Sequence, residues 1–208
     1  MLDKDPKERL NWIYKAQSVE DLEIRYNLWA REYEKDVAGY GYKLPGILAG
    51  FVGRYLNSSN GTILDAGAGT GITGEIMSLL GYKSIIAIDI STGMLELAKK
   101  KGVYQNIYRM VLGEQLDFPD DYFAGVVLMG VLSIGHAPPE SFDELIRCTI
   151  PDGYIIFSVR TDAPEFQEAQ DKLEQAGKWR SVEETIPFMV VPLEEPDIMN
   201  KVCVYRVK

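Results

Sequence analysis

Two carboxylates, a run of spaced glycines and one histidine are the residues here whose types and spacing could do chemistry. Asp65-Ala66-Gly67-Ala68-Gly69-Thr70-Gly71 follows the apolar run Thr62-Ile63-Leu64, and Asp89 closes a second apolar run, Ile85-Ile86-Ala87-Ile88. An apolar run that gives way to glycines reads as a buried strand, a tight turn and a helix start. Glycine lets the backbone turn and approach a ligand where a Cβ would collide. The unpaired N–H groups of a helix start suit an anionic group such as a carboxylate or phosphate. A carboxylate about twenty residues further on can accept both hydroxyls of a ribose. The set therefore predicts a site for a nucleoside-containing ligand. His136 is the sole histidine and falls just past a third apolar run, Ala124 to Leu132. Its unperturbed pKa suits a general base at neutral pH, and the competing reading is a polar loop residue that shapes a pocket.

Asp65 discriminates among nucleoside ligands. It lies at the end of the first strand, so its side chain is expected to face the crevice at the strand's carboxyl end. A dinucleotide pyrophosphate beside it would put like charges in one pocket. The amino-acid part of S-adenosylmethionine instead carries an ammonium that an acid can pair with. Gly69-Thr70-Gly71-Ile72-Thr73-Gly74 also satisfies the dinucleotide fingerprint, which keeps an NAD-dependent oxidoreductase as a rival. That short match is weak by itself, and the Tyr-x-x-x-Lys pair of short-chain dehydrogenases is missing.

The pattern Leu64-Asp65-x-Gly67-x-Gly69-x-Gly71 resembles the first motif of class I S-adenosylmethionine-dependent methyltransferases. Asp89-Ile90-Ser91-Thr92-Gly93-Met94 is similar to their second motif. Gly113-Glu114-Gln115-Leu116-Asp117-Phe118-Pro119 resembles the loop after their third strand, and Phe123 to Gly130 their fourth strand. The likeness spans residues 25 to 207. Within the class, Tyr26-x-x-Trp29-x-x-x-Tyr33 and Leu173-Glu174-Gln175-Ala176-Gly177 are similar to methyltransferase-like proteins of the Williams–Beuren region. The resemblance implies S-adenosyl-L-methionine as cofactor and S-adenosyl-L-homocysteine as product. It implies that Asp65, Gly67 and Gly69 form the cofactor cradle and that Asp89 holds the ribose. It places Ile90 and Met94 against adenine, Gly113 and Glu114 at the adenine border, and Met129, Trp29 and Tyr33 as a cover. Two positions depart from the pattern. Leu112 stands where the family carries an acid near the adenine amino group, and Phe123-Ala124 replaces a Phe-Asp opening.

Methyl transfer is an in-line displacement, so holding the acceptor behind the methyl carbon supplies much of the acceleration. A base is needed only where the attacking atom must first lose a proton, and His136 is the candidate. Ala137-Pro138-Pro139-Glu140 lacks the Asn/Asp and aromatic flanks of nucleic-acid amino methyltransferases and lies too far past the strand. Arg160 and Asp162 could meet a charged acceptor. The acceptor expected is a small molecule or a protein. A non-catalytic S-adenosylmethionine-binding regulator is a further alternative.

The elements that must position these residues follow from periodicity. Strands are expected at Thr62–Asp65, Ile85–Ile90, Tyr108–Leu112, Ala124–Met129 and Tyr154–Val159, alternating with helices. Ser91 caps one helix and Gly102 closes it. A polar, mostly helical lead-in over residues 3 to 24 precedes the aromatic face of Tyr26, Trp29 and Tyr33. The tail, Arg180–Val191 and Asn200–Val207, reads as an antiparallel hairpin. The fold expected is α/β: a three-layer Rossmann-like, doubly wound, mostly parallel sheet with a C-terminal antiparallel hairpin. Residues 1–57 are expected to form a helical lid and 58–208 the cofactor-binding core of a single domain. A net charge of −9 argues against non-specific grip on nucleic acid. The longest apolar run is too short to span a bilayer, the charged N-terminus lacks a signal-like stretch, and Cys148 and Cys203 show no metal-ligand spacing. No metal site is expected, and the compartment expected is the cytosol.

Overall fold

A computed structural model describes residues 5–57 and 61–208. Eight strands form one sheet in the order β3-β2-β1-β4-β5-β8-β6, with β7 paired to β8. They are β1 (Thr62–Ala66), β2 (Ile85–Asp89), β3 (Asn106–Arg109), β4 (Phe123–Leu132), β5 (Thr149–Arg160), β6 (Trp179–Glu184), β7 (Phe188–Met189) and β8 (Met199–Val207). The helices are α1 (Pro6–Ile13), α2 (Val19–Gly39), α3 (Leu44–Tyr55), α4 (Ile72–Leu79), α5 (Thr92–Lys101), α6 (Ser141–Cys148) and α7 (Pro164–Gln175). Pairing is parallel from β3 through β5 and antiparallel at β8.

Successive strand residues point to opposite faces, and the apolar runs are buried on both. Leu64, Val126 and Leu128 pack with Phe142 of α6 and Phe166 of α7. Their neighbours Ile63, Val127 and Met129 pack with Leu48 and Val52 of α3 and Met77 of α4. Two covered faces account for strands that are apolar throughout rather than alternating. The carboxyl ends of β1, β2 and β4 then open on one crevice.

Differences from the sequence reading have local causes. The lead-in breaks into α1 and α2 because Ser18, in extended conformation, caps α2 by accepting from the Asp21 N–H at 3.1 Å. β3 lies at Asn106–Arg109, ahead of the expected Tyr108–Leu112, because it pairs with Ile86–Asp89 as an edge strand and stays largely exposed. The apolar Met110, Val111 and Leu112 come after it and line the crevice. The tail is the expected antiparallel hairpin, with its first arm interrupted. Its first arm stops at Glu184 and resumes as the two-residue β7, and β8 is inserted between β5 and β6. Pro187 stands in that gap and has no N–H to give to a ladder.

A third apolar cluster sits over the crevice, with Ile13, Leu22, Trp29, Val37 and Tyr40 at its centre. It is tied internally by a buried ion pair: Arg9 Nε and Nη2 donate to Asp36 at 2.6 and 2.7 Å, and Trp29 Nε1 donates to the same carboxylate at 2.7 Å.

Candidate active site

A cavity of about 430 Å³ opens where β1, β2 and β4 end. Its floor is the turn from β1 into α4, where Gly67, Gly69 and Gly71 all have positive φ, at 76°, 55° and 89°. The three are not equivalent. A Cβ on Gly67 would strike Val131 at 2.4 Å, whereas one on Gly69 would meet nothing within 4 Å and would project into open space. Substitution at Gly67 thus collides with Val131, itself a lining residue, whereas at Gly69 the backbone borders open cavity. Thr70, in the same wall, is buried with its Oγ1 unpartnered.

Asp89 ends β2 on the opposite side of the floor. Its Oδ2 accepts from Gly69 N–H and its Oδ1 from Ser91 N–H, each at 2.8 Å. Each oxygen keeps a second lone pair for a ligand hydroxyl. Burial raises this carboxyl's pKa despite the two N–H bonds. Ile90, Met94, Gly113, Glu114, Met129, Tyr33 and His136 line the same cavity together with Gly67, Gly69 and Asp89. Gly113 has φ 97°, and a Cβ there would meet Pro138 at 2.6 Å, so the loop after β3 lies against the loop that follows β4.

Two expected contacts sit elsewhere. Asp65 is buried (1% exposed), but its carboxylate turns beneath the loop instead of into the crevice. Tyr104 donates its hydroxyl to Asp65 Oδ2 at 2.6 Å, and the Tyr104 Oη in turn accepts from Gly74 N–H at 3.2 Å. The enclosure raises the Asp65 pKa to about 7, with desolvation the largest cause and the Tyr104 bond opposing it. Gly74 would otherwise complete a dinucleotide fingerprint, but it has a packing reason to be glycine: a Cβ there would stand 2.2 Å from the Tyr104 ring. Trp29 is drawn away from the large cavity by its bond to Asp36. It backs Tyr26, stacked at 6.0 Å, and Tyr33, edge-on at 4.9 Å.

His136 joins a chain of hydrogen bonds. Its Nδ1 lies 3.3 Å from the Ile134 carbonyl and 3.0 Å from Ser133 Oγ, and its Nε2 lies 2.8 Å from Tyr26 Oη. A carbonyl only accepts, so the neutral ring carries its proton on Nδ1 and its Nε2 accepts from Tyr26. Desolvation lowers the His136 pKa, which favours that neutral form.

α2 closes one side of the cavity and is latched to α5. Asn27 Oδ1 accepts from Gly93 N–H at 2.7 Å and from Ser91 Oγ at 2.8 Å, and a Cβ on Gly93 would stand 3.0 Å from Asn27 Cα. Glu23 with Arg109 and Glu34 with Lys101 form flanking pairs. Asn27, Thr70 and Tyr104 carried no sequence signal, because each acts through partners distant in the chain or through a backbone turn. Tyr42 also lines the cavity.

The cradle fits S-adenosylmethionine by its donor set: an open backbone face at Gly69, an unpartnered hydroxyl at Thr70 and spare acceptor capacity on Asp89. The comparisons agree. A "Methyltransferase domain" family model matches residues 64–157. "Methyltransferase-like protein 27" of Homo sapiens is 32% identical over 179 residues, covering 80% of this chain and 73% of that protein. Among solved structures, the [4+2]-cyclase SpnF superposes with a TM-score of 0.74 at 14% identity, over 92% of this chain and 97% of that one. A Thermotoga maritima protein described as an S-adenosylmethionine-dependent methyltransferase, possibly a histamine N-methyltransferase, gives 0.62 at 18% identity over 88% and 98%. The chain belongs to the class I S-adenosylmethionine-dependent methyltransferases.

Proposed function

We propose that this methyltransferase binds S-adenosylmethionine in the large cavity and acts on a small-molecule acceptor by in-line displacement. The observation that carries the reading is the convergence of Gly69, Thr70 and Asp89 on one cavity whose rim holds Tyr33, Met129 and His136. The bound cofactor supplies an activated methyl group on a sulfonium. Asp89 takes the ribose hydroxyls, the loop N–H groups and Thr70 take the carboxylate, and Ile90, Met94, Gly113 and Glu114 enclose the adenine. Tyr33 and Met129 cover the sulfonium end, and His136 serves as base for an acceptor that must lose a proton. The chain's buried free cysteines, Cys148 and Cys203, suit a reducing compartment such as the cytosol. No helix among the described residues is long and apolar enough to cross a membrane. Of the expected lid, α1 and α2 cover the crevice and act as the lid, while α3 packs on the sheet.

A thermal-shift titration tests the cofactor. S-adenosylhomocysteine at a hundred times its Kd stabilises the fold by about 2.7 kcal/mol, and NAD leaves it unmoved. A shift with NAD alone overturns the reading.

The lid and the buried acid give further expectations. Asn27→Ala removes the acceptor that holds α2 to α5, a loss of about 1–1.5 kcal/mol. S-adenosylhomocysteine then dissociates about five- to tenfold faster in stopped flow, with its association rate nearly unchanged. Asp65 titrates in the free protein near pH 7, well above an unfolded aspartate at about 3.9. The folded state thus holds this proton more tightly, and stability falls as pH rises from about 4 towards 7. A cation in the site favours the ionised carboxylates of Asp65 and Asp89. S-adenosylmethionine affinity therefore rises from pH 6 to 8, with proton release visible by calorimetry in buffers of different ionisation enthalpy. Asp65→Asn flattens that rise; an unchanged pH profile would show that the charge beneath the loop plays no part.

A further inference from the structure

Behind Tyr26, Tyr33 and Tyr42 lies a second, smaller cavity of about 90 Å³, which shares those three side chains, Leu44, Gly130 and His136 with the cofactor cavity. The shared residues form the boundary between the two cavities. Six aromatic rings line the small cavity: Tyr14, Tyr26, Trp29, Tyr33, Tyr40 and Tyr42. Two charged side chains reach it, Arg160 and Glu195, and they differ in availability. Arg160 donates to Asp162, with Nε to Oδ1 at 2.8 Å and Nη2 to Oδ2 at 2.6 Å, and its guanidinium lies over the Tyr14 ring at 5.8 Å, where its charge also reaches Glu195. Glu195 accepts only from the neutral Tyr14 hydroxyl, at 3.2 Å, and forms no ion pair among the described residues. Among the described residues the wall therefore presents a carboxylate and ring faces, with the Arg160 cation held by Asp162 at its edge. Ring faces and a carboxylate with no ion pair within 4 Å among the described residues attract an ammonium group, and an anionic acceptor would meet Glu195 as a like charge.

We propose that this small cavity is the acceptor pocket, that it takes a small primary amine as its ammonium ion, and that Tyr26 and His136 remove the proton before attack. This rests on the methyl-transfer reading and names its acceptor class. The ammonium gives a proton to Tyr26 Oη as Tyr26 passes its own to His136 Nε2, which leaves a neutral amine and an imidazolium. The amine lone pair then forms the N–C bond while the S–C bond breaks and its electron pair stays on sulfur. The products are a methylammonium ion and a neutral thioether, and the imidazolium later loses its proton to solvent. Tyr26 is the group that touches the acceptor; His136 stands behind it, with its tautomer set by the Ile134 carbonyl.

The test is a calorimetric titration of the full chain with n-butylamine, n-butanol and butyrate, each with and without saturating S-adenosylhomocysteine. Butylamine is expected to bind at least tenfold more tightly than either isostere. Glu195→Gln is expected to cost the amine at least fivefold and to leave S-adenosylhomocysteine affinity within twofold. Tyr26→Phe is expected to retain amine binding and to lower the single-turnover methylation rate at least a hundredfold, with the residual rate rising as pH approaches the amine's own pKa. Equal or tighter binding of butanol or butyrate, or a Glu195→Gln variant with unchanged amine affinity, overturns the proposal. Failure of S-adenosylhomocysteine to bind the wild-type chain is a different result. It removes the methyl-transfer reading, whereas the amine preference is still decided by the titration without it.

Discussion

Asp36→Ala lowers folding stability by about 3–5 kcal/mol, the cost of taking one member from a buried, hydrogen-bonded ion pair. Asp36 is 2% exposed and Arg9 is 6% exposed. The carboxylate accepts two bonds from the guanidinium and one from the Trp29 indole, so its removal takes the acceptor from three buried N–H groups at once. Burial by itself pushes the Asp36 carboxyl upward, but the Arg9 and Trp29 bonds outweigh it and hold the carboxyl below its ordinary value. The pair's contribution is therefore complete at neutral pH and is lost as pH falls below about 4. Urea denaturation monitored by circular dichroism measures the loss, with an unchanged slope showing that the unfolded reference is the same. A loss below about 1 kcal/mol, the range of exposed pairs, would mean that water reaches the site. Because the pair joins α1 to α2, faster amide exchange should appear first in those helices.

Asp89→Ala is expected to raise the Kd for S-adenosylhomocysteine by about a hundredfold to ten-thousandfold. Two ligand hydroxyls would each lose a bond to a charged acceptor, worth about 1.5–3 kcal/mol apiece. The variant also frees Gly69 N–H and Ser91 N–H, which the carboxylate fixes at 2.8 Å. Asp89→Asn separates the two effects. An amide keeps one acceptor oxygen but turns an N–H towards one of those backbone donors, so its loss should be nearly as large. Calorimetry on variants with an unchanged circular dichroism spectrum decides the point, and unaltered affinity in Asp89→Ala would sink the ribose assignment.

Both carboxylates were visible in the chain, but for unequal reasons. Asp89 was legible because its chemistry and its place agree: it ends a buried apolar strand at the crevice. Asp65 was legible as a residue but not in its orientation, which Tyr104 sets from 39 residues further on. The sheet could be read wherever both faces are covered, since β1, β2, β4 and β5 then carry unbroken apolar runs. β3 was misplaced because an exposed edge strand has no such run, while the apolar residues after it serve the cavity wall. The split of the last arm into β6 and β7 turns on the register with β8, which periodicity does not encode. Ser18 and Ser91 show the other limit: Ser91 announces its helix by preceding an apolar period, whereas Ser18 interrupts a polar stretch.

The bond that holds Trp29 has an optical consequence. Of the three tryptophans, Trp12 lies under the Arg25 guanidinium and Trp179 is buried among Phe142, Phe157 and Tyr205 on the far face of the sheet. Trp29 alone of them is stacked on the partition between the two cavities, with its indole N–H fixed to a carboxylate. A chain carrying Trp12→Phe and Trp179→Phe would therefore emit from a single ring seated against the site. Its wavelength and lifetime would follow the filling of either cavity without a label.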